Sequence, residues 1–118
     1  MADFGLFLGF GQPARGREVQ AAKVFGETLA YYAELQKQGE IESFQVAILE
    51  PHGGELGGFV LLRGESDRLG KVRASAEFQR LLLRGGFIAD DIGVVSALLD
   101  GEAARFVSQT AALTADLA

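Results

Sequence analysis

Phe4-Gly5-Leu6-Phe7-Leu8-Gly9-Phe10 is the stretch that decides the fold. Phe4, Leu6, Leu8 and Phe10 recur at period two and share one face of a strand, while Gly5 and Gly9 leave the other face nearly bare and open to close packing. Gln12 to Gly16 contains Pro13 and Gly16 and breaks the strand. A helix runs from about Arg17 to Gln38 and stops at Gly39, a natural C′ residue. Ala21, Val24, Phe25, Thr28, Leu29, Tyr32 and Leu35 form its apolar stripe.

Ile41 to Leu49 reads as a second strand, with Phe44, Val46 and Ile48 alternating with Gln45 and Ala47. Phe59 to Arg63 is a third. The connection Glu50-Pro51-His52-Gly53-Gly54-Glu55-Leu56-Gly57-Gly58 is longer than a tight hairpin turn and rich in residues that permit unusual backbone angles. Ser66 can cap a short helical piece through about Arg73. Ser75 can cap a second, with Phe78, Leu81 and Leu82 facing inward and Gly85-Gly86 ending it. Ile92 to Leu99 is a fourth strand. Asp100 is a good N-cap for a last helix carrying Ala103, Phe106, Val107, Thr110 and Leu113 on one side, a stripe suited to its own domain or to a partner.

Strand-helix-strand-strand-helix-strand in this order predicts one α+β domain over residues 1–118. Its ferredoxin-like antiparallel sheet has order 4-1-3-2, both crossovers lie on one face, and the last helix is an addition. The other face then lacks a cover, and an apolar patch of that size predicts a two-fold homodimer through the sheet. With Gly58-Phe59-Val60-Leu61-Leu62-Arg63-Gly64 followed by Ser75-Ala76-Glu77-Phe78-Gln79-Arg80-Leu81, the chain resembles the dimeric α/β-barrel superfamily, which includes YCII-like proteins and small monooxygenases. The resemblance implies sheet-to-sheet dimers. It transfers no catalytic residue.

Composition narrows the function classes. The chain has 118 residues, 48% of them hydrophobic, a formal charge of −5 and no cysteine. Basic residues are scattered among acids, so nucleic acid is not an expected partner. Without cysteine there is no disulfide framework and no thiolate ligand, which is compatible with a cytoplasmic setting. Met1 to Gly11 is apolar but carries Asp3 where a leader needs basic residues, and it reads as a strand. No apolar run approaches the roughly 20 residues needed to cross a bilayer, so no membrane association is expected.

Cofactor motifs are fragmentary and none is assigned. Gly9-Phe10-Gly11-Gln12-Pro13-Ala14 fits a dinucleotide turn, but the acidic residue expected about 20 positions on would fall inside the helix. Gly64 to Lys71 has the wrong glycine spacing for a phosphate loop. His52-Gly53-Gly54 lacks a matching nucleophile elbow, and no ligand spacing identifies a metal.

Topology gathers the remaining candidates. The end of the first strand, the loop between the second and third, and the start of the fourth share one edge, bringing together Gln12, Arg15, Arg17, Glu50, His52, Asp90 and Asp91. His52 is the only histidine, the residue type that exchanges protons near neutral pH. Oriented by Glu50 or an aspartate it would be the catalytic base, while Arg15, Arg17, Asp90, Asp91 and Tyr31 would bind a ligand. The bland alternative is a solvated loop with surface ion pairs. Two classes remain open: a dimeric small-molecule-binding or accessory module, and a small cofactor-independent enzyme, monooxygenase-like or proton-transferring, centred on His52.

Overall fold

The computed structural model describes residues 2–117. The elements are β1 (Phe4–Phe10), α1 (Glu18–Lys37), β2 (Ser43–Ile48), β3 (Gly58–Gly64), α2 (Ser66–Ala74), α3 (Ala76–Ile88), β4 (Gly93–Leu98) and α4 (Asp100–Thr114), closed by a 3-10 turn, Ala115–Leu117. The strands form one antiparallel sheet of order β2-β3-β1-β4, the predicted order read from the opposite edge. The fold is α+β and ferredoxin-like.

Pairing β1 centrally in the sheet fixes which side is buried. Leu6 lies opposite Leu62 and Leu8 opposite Val60, and these four are the floor of the core. Above them pack Tyr32 and Leu35 of α1, Leu69 and Val72 of α2, and Phe78 of α3. Ile41 is 2% exposed although it precedes β2, because the chain leaving α1 turns back and buries it. Gly39 follows the helix at φ +78°, the left-handed C′ geometry that its sequence position predicts.

Four local expectations are corrected. The second face of β1 is not bare: Phe7 lies there, stacked on Phe59 with ring centroids 5.0 Å apart. Ser66 is the first helical residue rather than the cap of α2, and Glu65 precedes it in an extended conformation. Gly85-Gly86 does not end α3, which continues to Ile88. Gly85 is needed there for space, since a Cβ would sit 2.5 Å from Cδ1 of Ile92. Asp100 is not the cap of α4; the Gly101 N–H donates instead to Oδ2 of Asp3, 3.2 Å away.

The root of α4 is held by Arg63. Its guanidinium donates to Asp3 at 3.4 Å and to Asp100 at 3.0 Å. Beyond that root α4 buries nothing: it has no buried residue, and Phe106, Val107 and Leu113 are exposed. The radius of gyration is accordingly 16.3 Å, against about 13.5 Å for a compact chain of this length. Of the two placements open to the last helix, packing on its own domain does not occur.

Candidate functional site: an apolar cavity under the helices

A cavity of about 360 Å³ lies between the helix-facing side of the sheet and helices α1 and α3. Its floor is Leu8, Phe10 and Val60; Val24, Phe25, Thr28 and Tyr32 of α1 and Phe78, Leu81 and Leu82 of α3 form its walls. Residue size explains where it opens. Tyr32 and Phe78 of the lining belong to the same buried cluster as Leu62. Toward the mouth the lining side chains are small, with Ala21 and Ala22 on α1 and Ala89 just past the end of α3. Gln12, Pro13, Glu18, Ile48, Leu49, Gly57 and Ile92 complete the lining.

The mouth is built where the topology predicts, at the edge shared by the ends of β1 and β2 and the approach to β4. Gly57 N–H donates to Phe10 O at 2.7 Å, Leu49 N–H to Gly57 O at 2.9 Å, and Gly11 N–H to Asp90 O at 2.7 Å. Gly57 has no room for a side chain, because a Cβ would lie 2.7 Å from the Gly11 carbonyl oxygen. Ile48 is 67% exposed although its strand position is on the helix-facing side, since no helix reaches that part of β2.

Tyr32 is the main polar feature of the wall. Its ring packs edge-on to Phe44, centroids 6.0 Å apart, and its hydroxyl makes no hydrogen bond to another described residue. Burial, with a smaller contribution from neighbouring Tyr31, pushes its pKa well above the ordinary 10.0. It is therefore a neutral phenol, able to donate to a ligand oxygen. Thr28 lies one turn earlier, but its hydroxyl donates to Val24 O at 2.8 Å and offers a ligand only acceptor capacity. Glu18 and Tyr32 are the titratable side chains of the lining.

The sequence-selected residues are dispersed around this mouth rather than inside it. Gln12, grouped with them on the same edge, does line the cavity. His52 is exposed in the β2–β3 loop and does not line it. Gly54 N–H donates to its Nδ1 at 3.2 Å, so Nε2 carries the proton and donates to Leu56 O at 2.7 Å. Both ring nitrogens thus close the loop that bears them. Glu50 is exposed and makes no side-chain hydrogen bond among the described residues, so it does not orient His52.

Arg17 donates to Phe87 O at 2.9 Å, placing its charge at the carboxyl end of α3, where the helix dipole favours a cation. Arg15 is exposed, and so are Asp90 and Asp91; Asp91 turns at φ +53°. Tyr31 points away from the cavity, its hydroxyl 3.2 Å from Ser75 Oγ. No group of three or more His, Cys, Asp or Glu side chains suited to a metal occurs among the described residues. None of their helices is long and apolar enough to cross a membrane.

Tyr32 escapes sequence reasoning as a site residue because an apolar stripe makes it look like core. The available signal is the pair Thr28 and Tyr32, two hydroxyls one turn apart within that stripe and followed in space by small residues.

No family model and no curated protein matches the chain. Solved structures do. A dimeric protein of unknown function and ferredoxin-like fold from Bacteroides fragilis NCTC 9343 is 9% identical, covers 82% of this chain and 97% of its own, and has a TM-score of 0.54. A provisionally assigned antibiotic biosynthesis monooxygenase from Caulobacter crescentus CB15 is 16% identical, with 85% and 91% covered and a TM-score of 0.57. SnoaB, a cofactor-independent oxygenase from Streptomyces nogalater, is 14% identical, with 85% and 94% covered and a TM-score of 0.57. At these identities the likeness establishes the fold.

Proposed function

We propose that this chain is a dimeric small-molecule-binding protein whose ligand occupies the cavity between sheet and helices. The observation that carries the reading is the form of that cavity: apolar on floor and walls, open at one edge, with the unpartnered phenol of Tyr32 in its wall. Such a site selects flat apolar molecules by burial and orients them by one hydrogen bond. The ligand class is a two- or three-ring molecule carrying one oxygen that accepts from Tyr32.

The dimer part of the reading rests on the open sheet face. Phe7, Phe59, Leu61, Val95 and Ala97 lie on the side away from the helices. Val95 is 57% exposed. A second copy's sheet would cover this surface.

Titration calorimetry with 2-naphthol and naphthalene tests the binding reading. 2-Naphthol should bind in the range of roughly 10 µM, tighter than naphthalene by roughly fivefold, the worth of one net hydrogen bond. Tyr32→Phe should abolish the difference and leave naphthalene affinity unchanged. Absence of heat with either compound at millimolar concentration would remove the reading.

A second reading, cofactor-independent oxygenation, is favoured by the likeness to SnoaB. In it the Tyr32 phenol stabilises the enolate oxygen of a carbon acid, and His52, released from Leu56 and paired with Glu50, takes the proton at the mouth; Arg15, Arg17, Asp90, Asp91 and Tyr31 would surround the entry. Oxygen uptake with anthrone, which consumes one O2 to give anthraquinone and water, tests it. A rate no higher than that of buffer, or one unchanged in His52→Ala, would remove the His52 version.

A further inference from the structure

We propose that α4 is a clasp that packs on a second copy of this chain, extending the sheet-to-sheet contact. This rests on the dimer reading given above and adds a separate element to it.

Ala103, Phe106, Val107, Thr110, Leu113 and Leu117 follow i, i+3, i+4 spacing and share one stripe of the helix. Phe106 is 56%, Val107 67%, Leu113 78% and Leu117 76% exposed. Arg105, Ser108 and Ala112 lie on the opposite side and Glu102 and Gln109 at its flank, so the large apolar side chains of the helix are gathered on one uncovered side. A lone helix of about 15 residues is marginal in water and depends on packing for stability. Its own domain supplies none beyond the root.

Area identifies the occupant. The accessible surface is 7624 Å², whereas a compact monomer of this mass exposes about 6,200 Å². The excess of about 1,400 Å² per chain, doubled by two-fold symmetry, falls within the 2,000–5,000 Å² range of obligate homodimers. Continuity points the same way. Leu99, immediately before α4, comes within 3.1 Å of where a Gly5 side chain would stand on the open face, and Arg63 of that face holds Asp100. The stripe therefore starts at the border of the proposed sheet contact. A membrane surface suits it less: the charged residues outside the stripe are Glu102, Arg105 and Asp116, whereas interfacial helices are rich in Lys and Arg.

Sedimentation equilibrium, combined with amide hydrogen exchange, tests the clasp on the full chain. The wild type should be dimeric, with amides 103–114 protected. The double variant Phe106→Glu, Leu113→Glu should keep the circular dichroism melt of the body, raise the dimer dissociation constant at least 100-fold and lose protection in α4. An unchanged dissociation constant in that variant, or an α4 without protection in the wild-type dimer, overturns the clasp and leaves the helix to another partner. Val95→Glu separates the two readings: a dimer that survives it but not the α4 substitutions contradicts the sheet contact while supporting the clasp. A wild type that is monomeric at all concentrations overturns both.

Discussion

Tyr32 is both a core residue and the hydroxyl-bearing wall of the cavity. Its phenol is buried by the packing that makes the core, yet it meets the cavity without a protein partner, so the same burial that raises its pKa keeps it a neutral donor. The folded pKa lies above the unfolded one, so the neutral form contributes stability that is present below pH 10.0 and is lost as pH rises through the folded value. Melting temperature should therefore decline above pH 10, and more steeply in the wild type than in Tyr32→Phe. Parallel curves would contradict this account of Tyr32. His52 illustrates the opposite case. From sequence it is the one proton-exchanging side chain on the right edge; what sequence does not reveal is that Gly54 and Leu56 occupy both nitrogens. His52→Ala should leave 2-naphthol affinity within twofold and speed proteolysis of the loop from Glu50 to Leu56.

At the scale of elements, the junction of α2 and α3 depends on one hydroxyl. Ser75 Oγ donates to Val72 O at 2.7 Å, satisfying a carbonyl at the end of α2, and accepts from Phe78 N–H at 3.3 Å, capping the start of α3. Ser75→Ala should cost about 1 kcal/mol, seen as a fall in melting temperature of roughly 4–6 °C; a fall below 1 °C would show the cap to be dispensable. The cap was legible because serine before an apolar run has a local mechanism. The end of α3 was not, since Gly85-Gly86 carries the local signal of a helix stop. Ile92, seven residues away in sequence, uses the missing Cβ and lets the helix continue. Likewise Asp100 has the composition of a cap, but Arg63 takes its carboxylate and Asp3, from the other end of the chain, supplies the cap.

At the scale of the molecule, periodicity within single segments was enough to give strand number, strand order and the side on which both crossovers lie. Each depends on alternation along a few residues, and handedness rules do the rest. The cavity itself was not legible. Its lining brings Ala21 and Ala22 of α1 together with Ala89, just past the end of α3, small residues far apart in sequence that no local pattern announces. The mouth was legible, because topology alone sets which loops share an edge. Methyl-resolved NMR during titration with 2-naphthol would report whether a ligand enters the cavity. Leu8, Val24, Val60, Leu81 and Ile88, which surround the cavity, should shift saturably, with Leu113 and Leu117 unmoved. Shifts confined to surface methyls, or none at millimolar ligand, would contradict ligand binding there.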